Sequence, residues 1–73
     1  MKYGVFLFNT TTAAMQAQKV LTGKGYGVTL IPAPRQFNSA SGMAVRFNWI
    51  EEASVKEVLD KANVHVQAVR EVV

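Results

Sequence analysis

Cysteine is absent from the 73-residue chain, which excludes disulfides, thiolate nucleophiles and cysteine-based metal sites together. The single histidine, with no cysteine and no neighbouring carboxylate pair, makes no metal set either. No run approaches the ~20 apolar residues of a membrane span. The first residues carry one Lys and a short apolar run that ends at Asn9-Thr10-Thr11-Thr12, without the longer apolar core and small-residue cleavage site of a secretory signal. A cytoplasmic protein without membrane association is expected. Blocks of like charge are missing as well. The eight Lys and Arg residues are scattered singly from Lys2 to Arg70 and the net charge is only +3, so no polybasic nucleic-acid or membrane footprint is expected.

What is present points to a folded domain. Hydrophobic residues make up 49% and charged residues 18%, far from the low-hydrophobicity, high-charge regime of disorder. Residues 1–73 are too few for two independent cores and are expected to form one domain. A domain of this size buries only about 60% of the surface of its unfolded chain. It must pack efficiently or borrow surface from a partner.

Lys2 to Phe8, "KYGVFLF", reads as a strand buried on both faces. Between Thr10 and Thr22, Ala13, Ala17, Val20 and Leu21 fall at helical spacing, with Asn9 or Thr10 as N-cap and Gly23 as the stop. "GKGYG" lacks the spacing and trailing Lys-Ser/Thr of a phosphate loop and is read as a turn. Val28 to Ile31 is a second strand ended by Pro32 and Pro34. From Gly42 to Trp49, Met43, Val45, Phe47 and Trp49 alternate with Ala44, Arg46 and Asn48, giving a third strand with one strongly apolar face and Trp49 in the core. Val55, Val58, Leu59 and Ala62 return to helical spacing and end near Asn63; Ser54-x-x-Glu57 matches a capping box, with Glu51 and Glu52 as an alternative first turn. Val66 to Val73 is a fourth strand.

The order β-α-β-β-α-β is the split-βαβ, ferredoxin-like arrangement of an α+β sandwich. Right-handed crossovers then give an antiparallel sheet in the order 4-1-3-2 with both helices on one face. Phe6 and Phe8 lie opposite Val5 and Leu7, so one of these pairs belongs to the helix-free face, where a homodimer is expected.

This topology brings Asn9 to Thr12, Pro32 to Gly42 and Asn63 to His65 to one end of the sheet. The helix N-terminus there favours an anion. With Thr10, Thr11 and Thr12, the guanidinium of Arg35, the hydroxyls of Ser39 and Ser41 and the N–H of Gly42 form a candidate ligand-binding set. The connection of roughly ten residues exceeds the two to five usual in a hairpin, which suits either a functional loop or a merely long one. His65, a lone histidine beside a strand, is read as structural or solvated. An RNA-recognition sheet would need rings where "SGMAVRFNW" has Met43 and Val45, so no nucleic-acid partner is expected. No acid–base pair, nucleophile–base pair or metal set supports an enzyme, and no cofactor is implied.

The chain resembles a family of small bacterial and archaeal selenium/sulfur carrier protein-like domains nearly end to end. The likeness runs through "YGVFLFNTTTAAMQAQKVL", then "LIPAPR", then "SASGMAVRF". The resemblance implies a carrier chemistry resting on a cysteine just before the glycine, where this chain has Ser41. A thiolate can hold sulfur or selenium covalently; a serine hydroxyl cannot form a persulfide. The resulting expectation is a non-enzymatic protein with a loop cradle for a small anion or a sulfur or selenium species. The alternative is a protein-interaction or assembly module acting through the open sheet face.

Overall fold

The computed structural model describes residues 2–72, so Val73, expected at the end of the fourth strand, lies outside the described residues. The elements are β1 (Tyr3–Leu7), α1 (Thr11–Gly23), β2 (Thr29–Pro32), β3 (Met43–Asn48), a 3-10 turn (Trp49–Glu51), α2 (Glu52–Lys61) and β4 (Ala68–Val72). The four strands form one sheet in the order β2-β3-β1-β4, with every neighbouring pair antiparallel. This is the expected order read from its other edge, in an α+β arrangement. No helix among the described residues is long and apolar enough to cross a membrane.

Both helices pack on the same face. Phe6 and Phe8 of the β1 run, Val45 and Phe47 of β3, Ala14, Ala17 and Leu21 of α1, and Val55 and Leu59 of α2 form one buried cluster. The Phe6 and Phe47 rings stack with centroids 4.3 Å apart, and Trp49 leans on Phe47 at 5.9 Å, so the tryptophan serves the core as expected. Gly4 permits this crowding. A Cβ built there would lie 2.5 Å from Trp49 Cε3, 2.9 Å from Phe47 Cζ and 3.0 Å from the carbonyl of Arg70.

The other face has its own small core of Val5, Leu7 and Ala44, covered by Ile31, Ala33, Phe37, Ala68 and Val72. Val5 is completely buried and Leu7 nearly so within a single chain. The apolar pair expected to seek a second copy is thus already covered in part by the β2–β3 connection, through Ala33 and Phe37.

Local chemistry accounts for the element ends. Thr10 is the N-cap of α1, its hydroxyl accepting from the Ala13 N–H at 3.0 Å. The expected stop at Gly23 moves two residues on. Helix α1 includes Gly23, Lys24 caps it, and Gly25 takes the left-handed backbone (φ 89°) while Tyr26 N–H donates to Leu21. Helix α2 ends by the same device, with Asn63 at φ 59° and Val64 N–H donating to Leu59. The capping box at Ser54 and Glu57 is not used. Asn48 ends β3 and its side-chain oxygen accepts from Ile50 N–H at 3.3 Å, so turning begins at Trp49 and α2 starts at Glu52, the alternative first turn. Trp49 therefore lies outside β3. Pro32 belongs to β2 instead of ending it, because β2 is an edge strand where proline's missing N–H costs no ladder bond. β4 begins at Ala68, two residues later than expected.

Candidate functional site

The connection from β2 to β3 folds back on the sheet and is closed by its own polar groups. Ala33 N–H donates to Gly42 at 2.9 Å and Phe37 N–H to Pro34 at 3.0 Å, so the proline-stiffened start becomes a turn. Gly42 sits at φ 74°, the left-handed region in which a side chain is strained. Its N–H donates to the Ser39 carbonyl at 3.2 Å.

Two serines tie this loop to the end of β1. Ser41 N–H donates to the carbonyl of Phe8 at 3.2 Å, and Ser39 Oγ lies 3.3 Å from the same oxygen. The two hydroxyls are 3.2 Å apart, both reach the Met43 carbonyl, and Met43 N–H donates to Ser41 Oγ at 3.1 Å. Each hydroxyl has one proton, so the pair shares two protons among the Phe8 carbonyl, the Met43 carbonyl and each other. Their geometry is that of a clasp joining the loop to β1 and β3. Gln67, just before β4, closes the opposite side: its Nε2 donates to the Asn38 carbonyl at 2.8 Å and its Oε1 accepts from Ala40 N–H at 3.1 Å.

The clasped loop borders an open surface cavity of about 470 Å³. Arg35, Asn38, Ser39, Gly42 and Gln67 are among its lining residues, with Phe37 at its floor over the sheet. Arg35 is the only ionisable residue in the lining, is exposed, and no carboxylate pairs with it among the described residues.

Of the residues singled out in sequence, Arg35, Ser39 and Gly42 therefore share one cavity. Ser41 stands behind it, bonded to Ser39. The threonines are elsewhere: the Thr10 hydroxyl is occupied by the cap, Thr11 is exposed, and Thr12 lines a separate groove along α1 with Met15, Lys19 and Leu30. Gln67 and Asn38 were not singled out. Gln67 lies inside the polar-interrupted run "VQAVREVV", and only the pairing of its N–H with the Leu7 carbonyl at 2.7 Å, a long-range contact, brings it beside the loop. His65, two residues earlier, is exposed. Among the described residues no group of three His, Cys, Asp or Glu is placed to hold a metal ion.

No curated protein and no solved structure matches the chain. A family model described as "Putative Se/S carrier protein-like" matches residues 3–71, which takes in every strand, both helices and the clasped loop except for the last residue of β4. The chain belongs to that Se/S carrier protein-like family.

Proposed function

We propose that this ferredoxin-like chain is a non-enzymatic member of its family that holds a small oxyanion, or a sulfur or selenium species, in the cavity of the β2–β3 loop without covalent attachment. One observation carries the reading. The cavity places the Arg35 guanidinium beside the side-chain amides of Asn38 and Gln67 around about 470 Å³, with no carboxylate in its lining. A planar guanidinium suits oxyanion oxygens, and amide N–H groups add neutral donors.

The noncovalent form of the proposal comes from Ser41. It stands at the position where the family resemblance implies a cysteine, and its oxygen is already bonded to Met43 and Ser39. Without a thiolate no sulfur–sulfur or sulfur–selenium bond can form there. The serine retains the fastening of the loop and gives up covalent carriage.

The test is a titration with sulfate, selenite and thiosulfate followed by amide NMR. Shifts confined to the segment 33–42 and Gln67, abolished in Arg35→Gln, are expected. A chain whose loop amides stay fixed with all three anions has no such site.

A further inference from the structure

The arginines, lysines and carboxylates of this chain are sorted between its two faces. Directly paired residues of an antiparallel sheet point to the same side. On β1, Phe6 faces the helices, so Gly4 and its partners Phe47 and Glu71 do too, whereas Val5 and its partners Arg46 and Arg70 lie on the helix-free face. Arg35 is in the segment whose Ala33 and Phe37 pack on that same face. These three are all the arginines in the chain.

Every other charged side chain belongs to a helix, to its flanking turn or to the helix-facing side of the sheet. Lys19 lies on α1, Lys24 caps it, and Lys56 and Lys61 lie on α2 with Glu52, Glu57 and Asp60; Glu51 is in the preceding turn. Lys2 pairs with Glu71 at 3.6 Å. Five lysines offset five carboxylates there, so the net charge of +3 is that of the three arginines on the opposite face.

The same face carries a ring. The Arg46 guanidinium carbon lies 4.1 Å over the centre of the Tyr3 ring. Arg70 is held by a bond from its Nη1 to the Val69 carbonyl at 2.9 Å. A surface hollow of about 390 Å³ opens beside Arg46, between Gly27, Thr29 and Asn48. Arg46 and Arg70 flank β1, two inter-strand spacings or about 9.5 Å apart at their Cα atoms, which spans about three stacked nucleotides. The rings missing at Met43 and Val45 do not bear on this face, because both residues pack toward the helices.

We infer that the helix-free face, through Arg46, Arg70, Arg35 and Tyr3, binds a segment of single-stranded nucleic acid. Guanidinium groups meet phosphates bidentately, and a base can stack on an exposed guanidinium plane or on the tyrosine. An acidic protein would satisfy the charges but would make no use of the stacked Arg46–Tyr3 pair. The inference does not depend on the loop cavity being occupied.

Fluorescence anisotropy with labelled dodecauridylate, from about 50 to about 200 mM salt, tests it. With three phosphate contacts, log affinity is expected to fall against log salt with a slope of about −2, at about −0.7 per phosphate on a single strand. Arg46→Ala with Arg70→Ala should weaken binding about tenfold or more and reduce the slope to about −0.7, with the urea midpoint retained. Lys19→Ala with Lys56→Ala removes the same charge from the helix side and should change neither. Tyr3→Leu should weaken dodecauridylate while leaving inorganic polyphosphate binding unaltered. Absence of binding at the lowest salt overturns the inference, as do equal losses in the lysine and arginine pairs, equal losses of both ligands in Tyr3→Leu, or a polyglutamate peptide that competes as well as the oligonucleotide.

Discussion

Gln67 grips Asn38 and Ala40 at once, donating to the Asn38 carbonyl at 2.8 Å and accepting from Ala40 N–H at 3.1 Å. One side chain just before β4 thereby fixes the outer wall of a loop nearly thirty residues earlier. Both bonds are solvent-exposed, so they set loop order more than global stability. Gln67→Ala is expected to cost about 1 kcal/mol and to speed amide exchange across 38–42 while the strands stay protected. Unchanged exchange in that segment would show that the serine clasp alone suffices.

Position 41 can be given a thiol to test the proposed role of its serine. In Ser41→Cys the new Sγ would take the place of an oxygen that receives the Met43 N–H and lies 3.2 Å from the Ser39 hydroxyl. Bonds from the Met43 N–H and the Ser39 hydroxyl favour the thiolate, and because S–H is a weak donor the lost contact with the Met43 carbonyl costs less. The thiol pKa should therefore fall below its ordinary value of about 8.5. The pH profile of alkylation reads this directly. A profile at or above that value would mean that the clasp does not re-form around sulfur.

Gly4 is a packing glycine. Gly4→Ala would press a methyl carbon against Trp49, Phe47 and the backbone carbonyl of Arg70, two rings and a strand that cannot all yield. Overpacking of this kind typically costs 1–3 kcal/mol, and about 2 kcal/mol is expected from the urea midpoint. Little change would place slack around Trp49, contrary to its contact with the stacked Phe6–Phe47 pair.

Phe37 is the loop's anchor on the helix-free face. It is half-buried and covers the Val5, Leu7 and Ala44 cluster. Phe37→Ala should cost about 2 kcal/mol, less than the 3–5 of a fully buried phenylalanine. It should also increase self-association in sedimentation velocity, since an uncovered apolar patch seeks a partner. Loss of stability without added self-association would mean that the loop recloses over the cluster.

Much of the architecture was legible because its causes are local. The alternation of Met43, Val45 and Phe47 is a two-residue period, and the spacing of Ala17, Leu21, Val55 and Leu59 follows the 3.6-residue period. Where ends were misplaced, neighbouring chemistry decided otherwise. Asn48 captured Ile50 N–H before Ser54 could cap, and the left-handed backbone that stops α1 fell to Gly25 instead of Gly23. Of the residues that line the loop cavity, Arg35, Ser39 and Gly42 were legible because loop length, proline and glycine mark that segment. The threonines were included on topology alone, which could not reveal that Thr10 was spent on its own helix and that Thr12 turned to another groove.

By itself the sequence determined the kind and order of the elements, the absence of a thiol side chain and the position of the long β2–β3 loop, because periodicity, composition and turn residues act over a few positions. The tertiary structure alone decided that the serines clasp Phe8 and Met43, that Gln67 completes the loop, and that three arginines scattered from 35 to 70 share one face with Tyr3. Those relationships depend on strand register and on which side of the sheet the helices cover. Alternation within a strand groups its residues by face, but only the pairing across strands decides which faces coincide, and a one-residue slip would exchange them.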